Sequence, residues 1–454
     1  MSIPTIVMAA TQSGSGKTTI VTGLIAALRD RGLKVQPYKI GPDYIDPGYH
    51  SIAAGRPAHN LDSWLIPKER LKELFAKTSQ DADIAIIEGV MGLYDGGKNG
   101  ISSTAEIAKL LKAPVILIID AKSMAASAAA LALGFREYDK NLNLAGVILN
   151  RIGSDNHRVI IEDALSEINI KCFGAIKRDN KLITPERHLG LLPTTENDTL
   201  NLIKNISAAV SSQLNLNSII EVARANATVD LINKNSMHKS KSTVKIAVAK
   251  DEAFSFYYPE SLNVLEDFGA EIINFSPLHD KELPKVQGLI IGGGFPEMFA
   301  QQLEANISMR ESIKSAADNH MPIFAECGGY MYLMNELVDF SGRSYQMTGI
   351  INTQAKMNDK LQMVGYVKGE IMTDCVIGNK GDILHAHEFH FSSAEEIAGQ
   401  QIFNCVKMRN NISYQAGFYN ENITASYLHI HFAGRPQAAA KFLQCCKNYP
   451  GGNQ

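Results

Sequence analysis

Apolar runs of strand length recur along the first half of the chain, at TIVMAA (5 to 10), IAII (84 to 87), VILIID (115 to 120) and LAGVILN (144 to 150). Continuous runs of this kind fit strands covered on both faces. Between several of them the spacing becomes helical, as with Ile20, Leu24 and Leu28 after the first glycine-rich loop, because residues four apart share a helix face. Strands alternating with helices predict an α/β fold, a parallel sheet with helices on both sides.

From Asn226 to Thr243 the string NATVDLINKNSMHKSKST is polar, lysine-rich and without period, and is read as a linker. A second series follows it: KIAVAKD (245 to 251), helix-like PESLNVLEDFG, then EIINFSP, VQGLIIGGG (286 to 294) and MPIFAEC (321 to 327). The expected organisation is therefore a first α/β domain over 1–225, a linker over 226–243, and a second alternating α/β domain with its own sheet over 244–446. The length of 454 residues leaves room for both cores.

Composition narrows the partners. With 44 Lys and Arg against 47 Asp and Glu, the net charge of −3 gives no electrostatic reason to expect nucleic acid. No stretch has the roughly 20 apolar residues of a membrane span, and the first residues lack the basic segment of an export signal. The six cysteines form no CxxC pair, which argues against a disulfide framework and for a reducing, cytoplasmic setting. Small molecules are the expected partners, with no nucleic acid and no membrane.

TQSGSGKTT (11 to 19) follows a strand and opens a helix, the context in which a glycine-rich string cradles phosphate. Backbone N–H groups of Gly14, Ser15 and Gly16 can point at phosphate oxygens, Lys17 can reach the terminal phosphates, and Thr18, followed by Thr19, can offer its hydroxyl to Mg²⁺. The first position of the usual motif is Thr11 rather than glycine. KIGPDYIDPGYH (39 to 50) lies just past a second strand, VQPYK, near the sheet edge where open α/β folds bind ligands. It carries Lys39, Asp43, Tyr44 and Asp46 on a loop stiffened by proline and glycine, suited to holding a carboxylate substrate beside ATP and metal. IIEGVMGLYDGG (86 to 97) ends an apolar strand in Glu88, placed to bind Mg²⁺ with Thr18 and Asp43. Asp95 serves equally well as a turn cap.

In the second half, FAECGGYMYL (324 to 333) reads as strand, sharp turn and helix with Cys327 at the turn. Two following glycines allow the strained elbow that lifts a nucleophile above a sheet, and the helix end is expected to lower the thiol pKa. IIGGGFPE (290 to 297) ends a neighbouring strand in glycines, so that Gly293 and Gly294, with Gly328, can supply oxyanion N–H groups. TASYLHIHFAG (424 to 434) offers His429 and His431 as general base in a strand-like run, and spacing alone does not choose between them. HAHEFHF (385 to 391) is read as a substrate-edge or interface strand in preference to a metal site.

Taken together the chain resembles the cobyrinate a,c-diamide synthases of cobalamin biosynthesis. The resemblance runs through SGKTT, KIGPDYIDPGYH, EGVMGLYDG, GGGFPE, ECGGYMYL, HEFHFS and SYLHIHF, essentially its whole length. KIGPDYIDP and EGVMGLYDG are the specific strings, the others being more widely shared. The resemblance implies a P-loop nucleotide domain like that of dethiobiotin synthetase, followed by a cobalamin-type class I glutamine amidotransferase domain. It implies ATP and Mg²⁺, and a corrinoid substrate, cobyrinate or hydrogenobyrinate, amidated on its a and c carboxylates through an acyl phosphate, with nitrogen from glutamine or ammonia. It puts the nucleophile on Cys327 and the base on His429. The place where many relatives carry a glutamate is His431, so a Cys–His dyad is expected. Nickel-sirohydrochlorin a,c-diamide synthases share these strings and are the near alternative; partitioning ATPases such as MinD and ParA are the alternative from another class. A homodimer is an expected assembly.

Overall fold

The computed structural model describes residues 3–182, 186–187, 190–191, 199–226, 244–395, 397 and 399–453. Apart from Asn226, the linker expected over 226–243 lies outside the described residues. The described residues form two compact units, one holding those up to Ser63 and from Pro67 to Asn226, the other Trp64–Ile66 and those from Val244 onward.

The first unit alternates strand and helix: β1 (Thr5–Ala10), α1 (Lys17–Asp30), β2 (Val35–Ile40), α2 (Asp46–Ala54), β3 (His59–Leu61), α3 (Lys68–Ser79) and β4 (Ile84–Glu88). It continues with α4 (Thr104–Leu110), β5 (Val115–Asp120), α5 (Ser127–Tyr138), β6 (Leu144–Ile152), α6 (Asp155–Glu167) and β7 (Cys172–Lys177). A short antiparallel pair, β8 (Glu186–Arg187) and β9 (Gly190–Leu191), precedes α7 (Thr199–Gln213) and α8 (Leu216–Ala225). The sheet has the order β3-β2-β4-β1-β5-β6-β7, and every pairing in it is parallel. The chain turns back at β1, which lies between β4 and β5, so the loops leaving β1, β2 and β4 open together at the carboxyl edge, the place where such sheets bind ligands. Ile20, Leu24 and Leu28 are buried against Ile6, Met8 and Ile86, as the helical spacing of α1 requires.

The second unit opens with β10 (Val244–Ala249), α9 (Pro259–Asp267), β11 (Ala270–Phe275), β12 (Gly288–Ile291), α10 (Ala300–Ala305) and α11 (Ile307–Asp318). Next come β13 (Ile323–Glu326), α12 (Gly328–Leu333), β14 (Met334–Val338), β15 (Ser344–Gln346), β16 (Ile351–Met357), β17 (Met363–Ile371) and β18 (Ile383–His390). The remainder is β19 (Ser392–Ala394), β20 (Phe403–Lys407), β21 (Ser413–Ala416), β22 (Phe418–Tyr419), β23 (Ile423–Ser426), β24 (His429–Ile430) and α13 (Pro436–Asn448). The predicted strands, joined by β22, form a sheet of order β11-β10-β12-β13-β23-β22, parallel except at β22.

Two further sheets, β15-β14-β16-β19 and β21-β20-β17-β18-β24, correct the expectation of a single sheet. Their strands bury alternate residues, as β16 does with Ile351, Ala355 and Met357. That half-buried pattern has no continuous apolar run to betray it. Trp64–Ile66 count with this unit because the Trp64 indole N–H donates to Ala386 O at 3.0 Å and its ring stacks on His385 at 4.1 Å.

Candidate active site

In the first unit, residues 11–16 wrap from the end of β1 to the start of α1. Gly14 and Gly16 have φ of 76° and 80°, a left-handed conformation that glycine adopts without steric cost. Asn150 pins the loop, its Nδ2 donating to Ser15 O at 2.8 Å. A Cβ on Gly16 would come within 2.3 Å of that nitrogen, so a larger residue there would displace the amide that pins the loop. Lys17 Nζ donates to Met91 O at 2.9 Å. Burial and the neighbouring Lys39 ammonium pull Lys17 down to about 8.

Beside this loop the side chains of Thr18, Lys39, Asp46 and Glu88 meet. Parallel pairing sets Lys39 of β2 opposite Glu88 of β4. Lys39 Nζ lies 2.5 Å from Asp46 Oδ2 and 2.9 Å from Glu88 Oε1. Thr18 Oγ1 donates to Glu88 Oε1 at 2.7 Å and stands 3.2 Å from Asp46 Oδ2. Burial opposes charge on both Lys39 and Glu88, yet the facing carboxylates hold Lys39 above its ordinary range, and Lys39 with His50 holds Glu88 well below its own. Burial and the Asp43 charge raise Asp46 to about 6.

The sequence grouped Asp43 with Thr18 and Glu88 as the cation ligands. In the folded chain Asp43 lines the same cavity, and its Oδ1 accepts from the N–H groups of Ile45 and Asp46, at 2.8 and 2.9 Å, which caps the turn into α2. Asp46 is the carboxylate that reaches Thr18. Asp95 Oδ2 accepts from Gly92 N at 3.1 Å and so braces its turn.

A cavity of about 710 Å³ is lined by Gly14, Gly16, Lys17, Thr18, Thr19, Lys39, Asp43, Asp46 and Glu88. Tyr44 is half-buried and does not line it. Lys122 and Arg178, just past the ends of β5 and β7, and Arg151, near the end of β6, add cations that no motif flagged. Two carboxylates and a hydroxyl converging on a phosphate loop are hard oxygen donors of the kind Mg²⁺ takes, and that ion commonly completes its shell with nucleotide phosphates and water. Among the described residues no cluster of three or more His, Cys, Asp and Glu gathers to hold a metal without such help.

In the second unit Cys327 joins β13 to α12 at φ 46° and ψ −101°, a strained turn for a residue with a side chain. Cys327 N donates to Ser426 O at 2.7 Å, and Gly329 N to Gly292 O at 2.9 Å. A Cβ on Gly329 would stand 2.1 Å from Ile291 O, and one on Gly328 3.1 Å from Gly294 N. The glycines thus bring the glycine turn after β12 against the elbow. The expected lowering of the thiol pKa is corrected: burial, then the charge of Glu297, pushes Cys327 up. Helix α12 has only six residues, all buried, so desolvation outweighs the partial charge at its end.

The strand-like run around the two histidines is also corrected. β23 ends at Ser426 in the parallel sheet, and β24 begins at His429 in the sheet that contains β18. The break at Tyr427 and Leu428 sends His429 and His431 to different neighbours. His429 pairs across from His387, and a Cβ on Gly293 would lie 2.7 Å from its Cε1. Burial, with His387 and His390 nearby, lowers His429 to about 3, so its ring is neutral at pH 7. His431 Nε2 instead stands 3.6 Å from Glu260 Oε2, and its ring stacks on Tyr258 at 4.6 Å. All of HAHEFHF but Phe391 lies within β18: His390 stacks on Tyr427 at 3.9 Å, and Tyr414 donates its hydroxyl to Glu388.

The comparisons with known proteins also find two domains. Residues 6–192 match the CobQ/CobB/MinD/ParA nucleotide binding domain, and residues 245–437 the CobB/CobQ-like glutamine amidotransferase domain. The chain is 42% identical over 460 residues to the cobyrinate a,c-diamide synthase of Dehalococcoides mccartyi (strain CBDB1), covering 99% of each. It is 41% identical to that of Caldanaerobacter subterraneus subsp. tengcongensis, over 97% of this chain and 98% of the relative. With the Picrophilus torridus synthase the identity is 40%, over 99% and 100%.

Proposed function

This chain belongs to the cobyrinate a,c-diamide synthase family, and from that membership we propose that it amidates the a and c carboxylates of cobyrinate or hydrogenobyrinate with ATP and glutamine. It is a glutamine-hydrolysing ligase of cobalamin biosynthesis with a nucleotide-binding domain. The observation that carries the finer reading is the meeting of Lys17, Thr18, Lys39, Asp46 and Glu88 on one cavity.

A carboxylate is a poor acyl donor. In the proposed reaction its oxygen attacks the terminal phosphorus of ATP, ADP departs, ammonia attacks the resulting acyl phosphate, and inorganic phosphate leaves. Lys17 and the Gly14–Gly16 loop would hold the phosphates, while Lys39 and the Asp46 loop would place the substrate carboxylate. Thr18, Glu88 and Asp46 would hold Mg²⁺, which when bound neutralises the phosphate charge. In the other unit, Cys327 attacks the glutamine amide and His429 takes its proton and returns it to departing ammonia; water then releases glutamate from the thioester. Gly293, Gly294 and Gly328 are the proposed donors to the oxyanion. A neutral imidazole suits this order, since the base starts without a proton.

The test is to incubate the chain with ATP, Mg²⁺, glutamine and, separately, cobyrinate, hydrogenobyrinate and nickel-sirohydrochlorin, and to weigh each product. A diamide from a corrinoid supports the reading. A diamide from the nickel compound alone transfers the chemistry to that substrate, and ATP hydrolysis without amidation of any would overturn it.

A further inference from the structure

His50 has no part in the reaction as proposed, yet its side chain is 0% exposed beside the phosphate loop. Its Nε2 lies 2.5 Å from Glu88 Oε2, and its Nδ1 3.1 Å from Thr22 Oγ1. The other Glu88 oxygen, Oε1, meets Thr18 and Lys39. The two oxygens of one carboxylate are therefore assigned to different partners.

Helix spacing produces this division. Thr18 and Thr22 are four residues apart on α1, and Asp46 and His50 are four apart on α2. Each pair thus occupies one helix face. Glu88, at the end of β4, meets both faces: Thr18 on one side of the carboxylate, and His50, held by Thr22, on the other. An ionised carboxylate only accepts, so Nε2 is the donor to Oε2, while Nδ1 meets the Thr22 hydroxyl. The terminal torsion of a glutamate is broad and sets no preferred plane by itself. A donor on Oε2 supplies one.

We propose that His50 is a positioning residue that clamps Oε2 of Glu88, keeping Oε1 turned toward Thr18 and the cation bound with the nucleotide. The inference rests on the reading of Glu88 as a cation ligand. His50 touches neither substrate nor cation and acts only through Glu88. Loss of a partner that orients a metal ligand costs about 10- to 100-fold in metal affinity.

The experiment measures Mn²⁺ binding to the full chain by electron paramagnetic resonance, with a non-hydrolysable ATP analogue present. It compares the parent chain with His50→Gln, His50→Asn and Glu88→Gln. The glutamine amide nitrogen can stand where Nε2 stands, whereas that of asparagine reaches only the place of Nδ1. The expected result is that His50→Asn weakens Mn²⁺ binding by about tenfold or more while His50→Gln stays within about threefold. If Glu88→Gln weakens binding but neither His50 variant does, the clamp is wrong and the cation site stands. Unchanged binding in Glu88→Gln would overturn the cation reading, and the inference with it. Should His50→Asn fail to fold, Thr22→Val and Thr22→Ser decide. Weaker binding in the valine variant alone supports the clamp, and equal binding in both rejects it.

Discussion

The imidazole of His429 lies against Gly293, so close that a Cβ on the glycine would come within 2.7 Å of the ring's Cε1. Gly293→Ala should therefore displace the base from the elbow without touching the first unit. Glutamine-dependent amidation is expected to fall by on the order of a hundredfold, the cost of a small misplacement of a catalytic group. Activity with ammonium salt should persist. Equal rates in the variant and the parent with glutamine would show that His429 is not the base.

Cys327→Ser replaces the thiol by a hydroxyl that is far harder to ionise. Glutamine-dependent synthesis should drop by about a thousandfold or more, and ammonium at moderately alkaline pH should restore ATP-dependent amidation. His429→Ala is expected to behave the same way. His431→Ala should lower the thermal midpoint more than the rate, because His431 packs on Tyr258 and Glu260. A Cys327 variant that folds and binds ATP but stays dead with ammonia would refute the separation of the two reactions.

Lys17→Ala and Asp46→Asn should fail with both nitrogen sources, since both residues serve phosphoryl transfer in the proposed scheme. The loss expected for Lys17→Ala is roughly a hundred- to a thousandfold, comparable to removing one donor to a developing oxyanion. Steady-state assays with glutamine and with ammonia decide the matter, and a defect confined to glutamine would move the residue to the other unit's chemistry.

Burial raises Glu326 to about 8, while its Oε1 accepts from Ile430 N at 2.8 Å. A carboxyl whose folded pKa exceeds its unfolded value keeps an extra proton in the folded chain, so stability falls as pH rises through the interval between them. For Glu326 that interval runs from 4.5 to about 8. Glu326→Gln retains an acceptor for Ile430 and cannot ionise. Its thermal midpoint should therefore decline less than the parent's between pH 5 and about pH 8. Parallel curves would show that Glu326 does not titrate in this range.

The phosphate loop and the cysteine elbow were legible because their chemistry is local. A strand end, glycines and a helix start place backbone N–H groups within a few residues, and the string itself contains all of them. The parallel sheets were legible for a related reason, since strands buried on both faces must be apolar throughout. Apart from β18, read as a strand at HAHEFHF, the strands between Met334 and Ala416 were not, because half of each faces outward and reads as loop.

The sequence alone determined which residue types reach a sheet edge: Lys17 and Thr18 after β1, the Asp43 to Asp46 loop after β2, Glu88 at the end of β4, and Cys327 after β13. Only the tertiary structure decided which of them meet. The order β3-β2-β4-β1 brings Lys39 beside Glu88, and the first turn of α2 turns Asp46 rather than Asp43 Oδ1 toward Thr18. His50 and Thr22 join them only because two helices present residues four apart to one carboxylate. The choice between His429 and His431 depends on a chain that leaves one sheet at Ser426 and enters another at His429. Residue spacing records distance along the chain, whereas these meetings depend on strand order and on where a strand breaks, which packing across the whole unit determines.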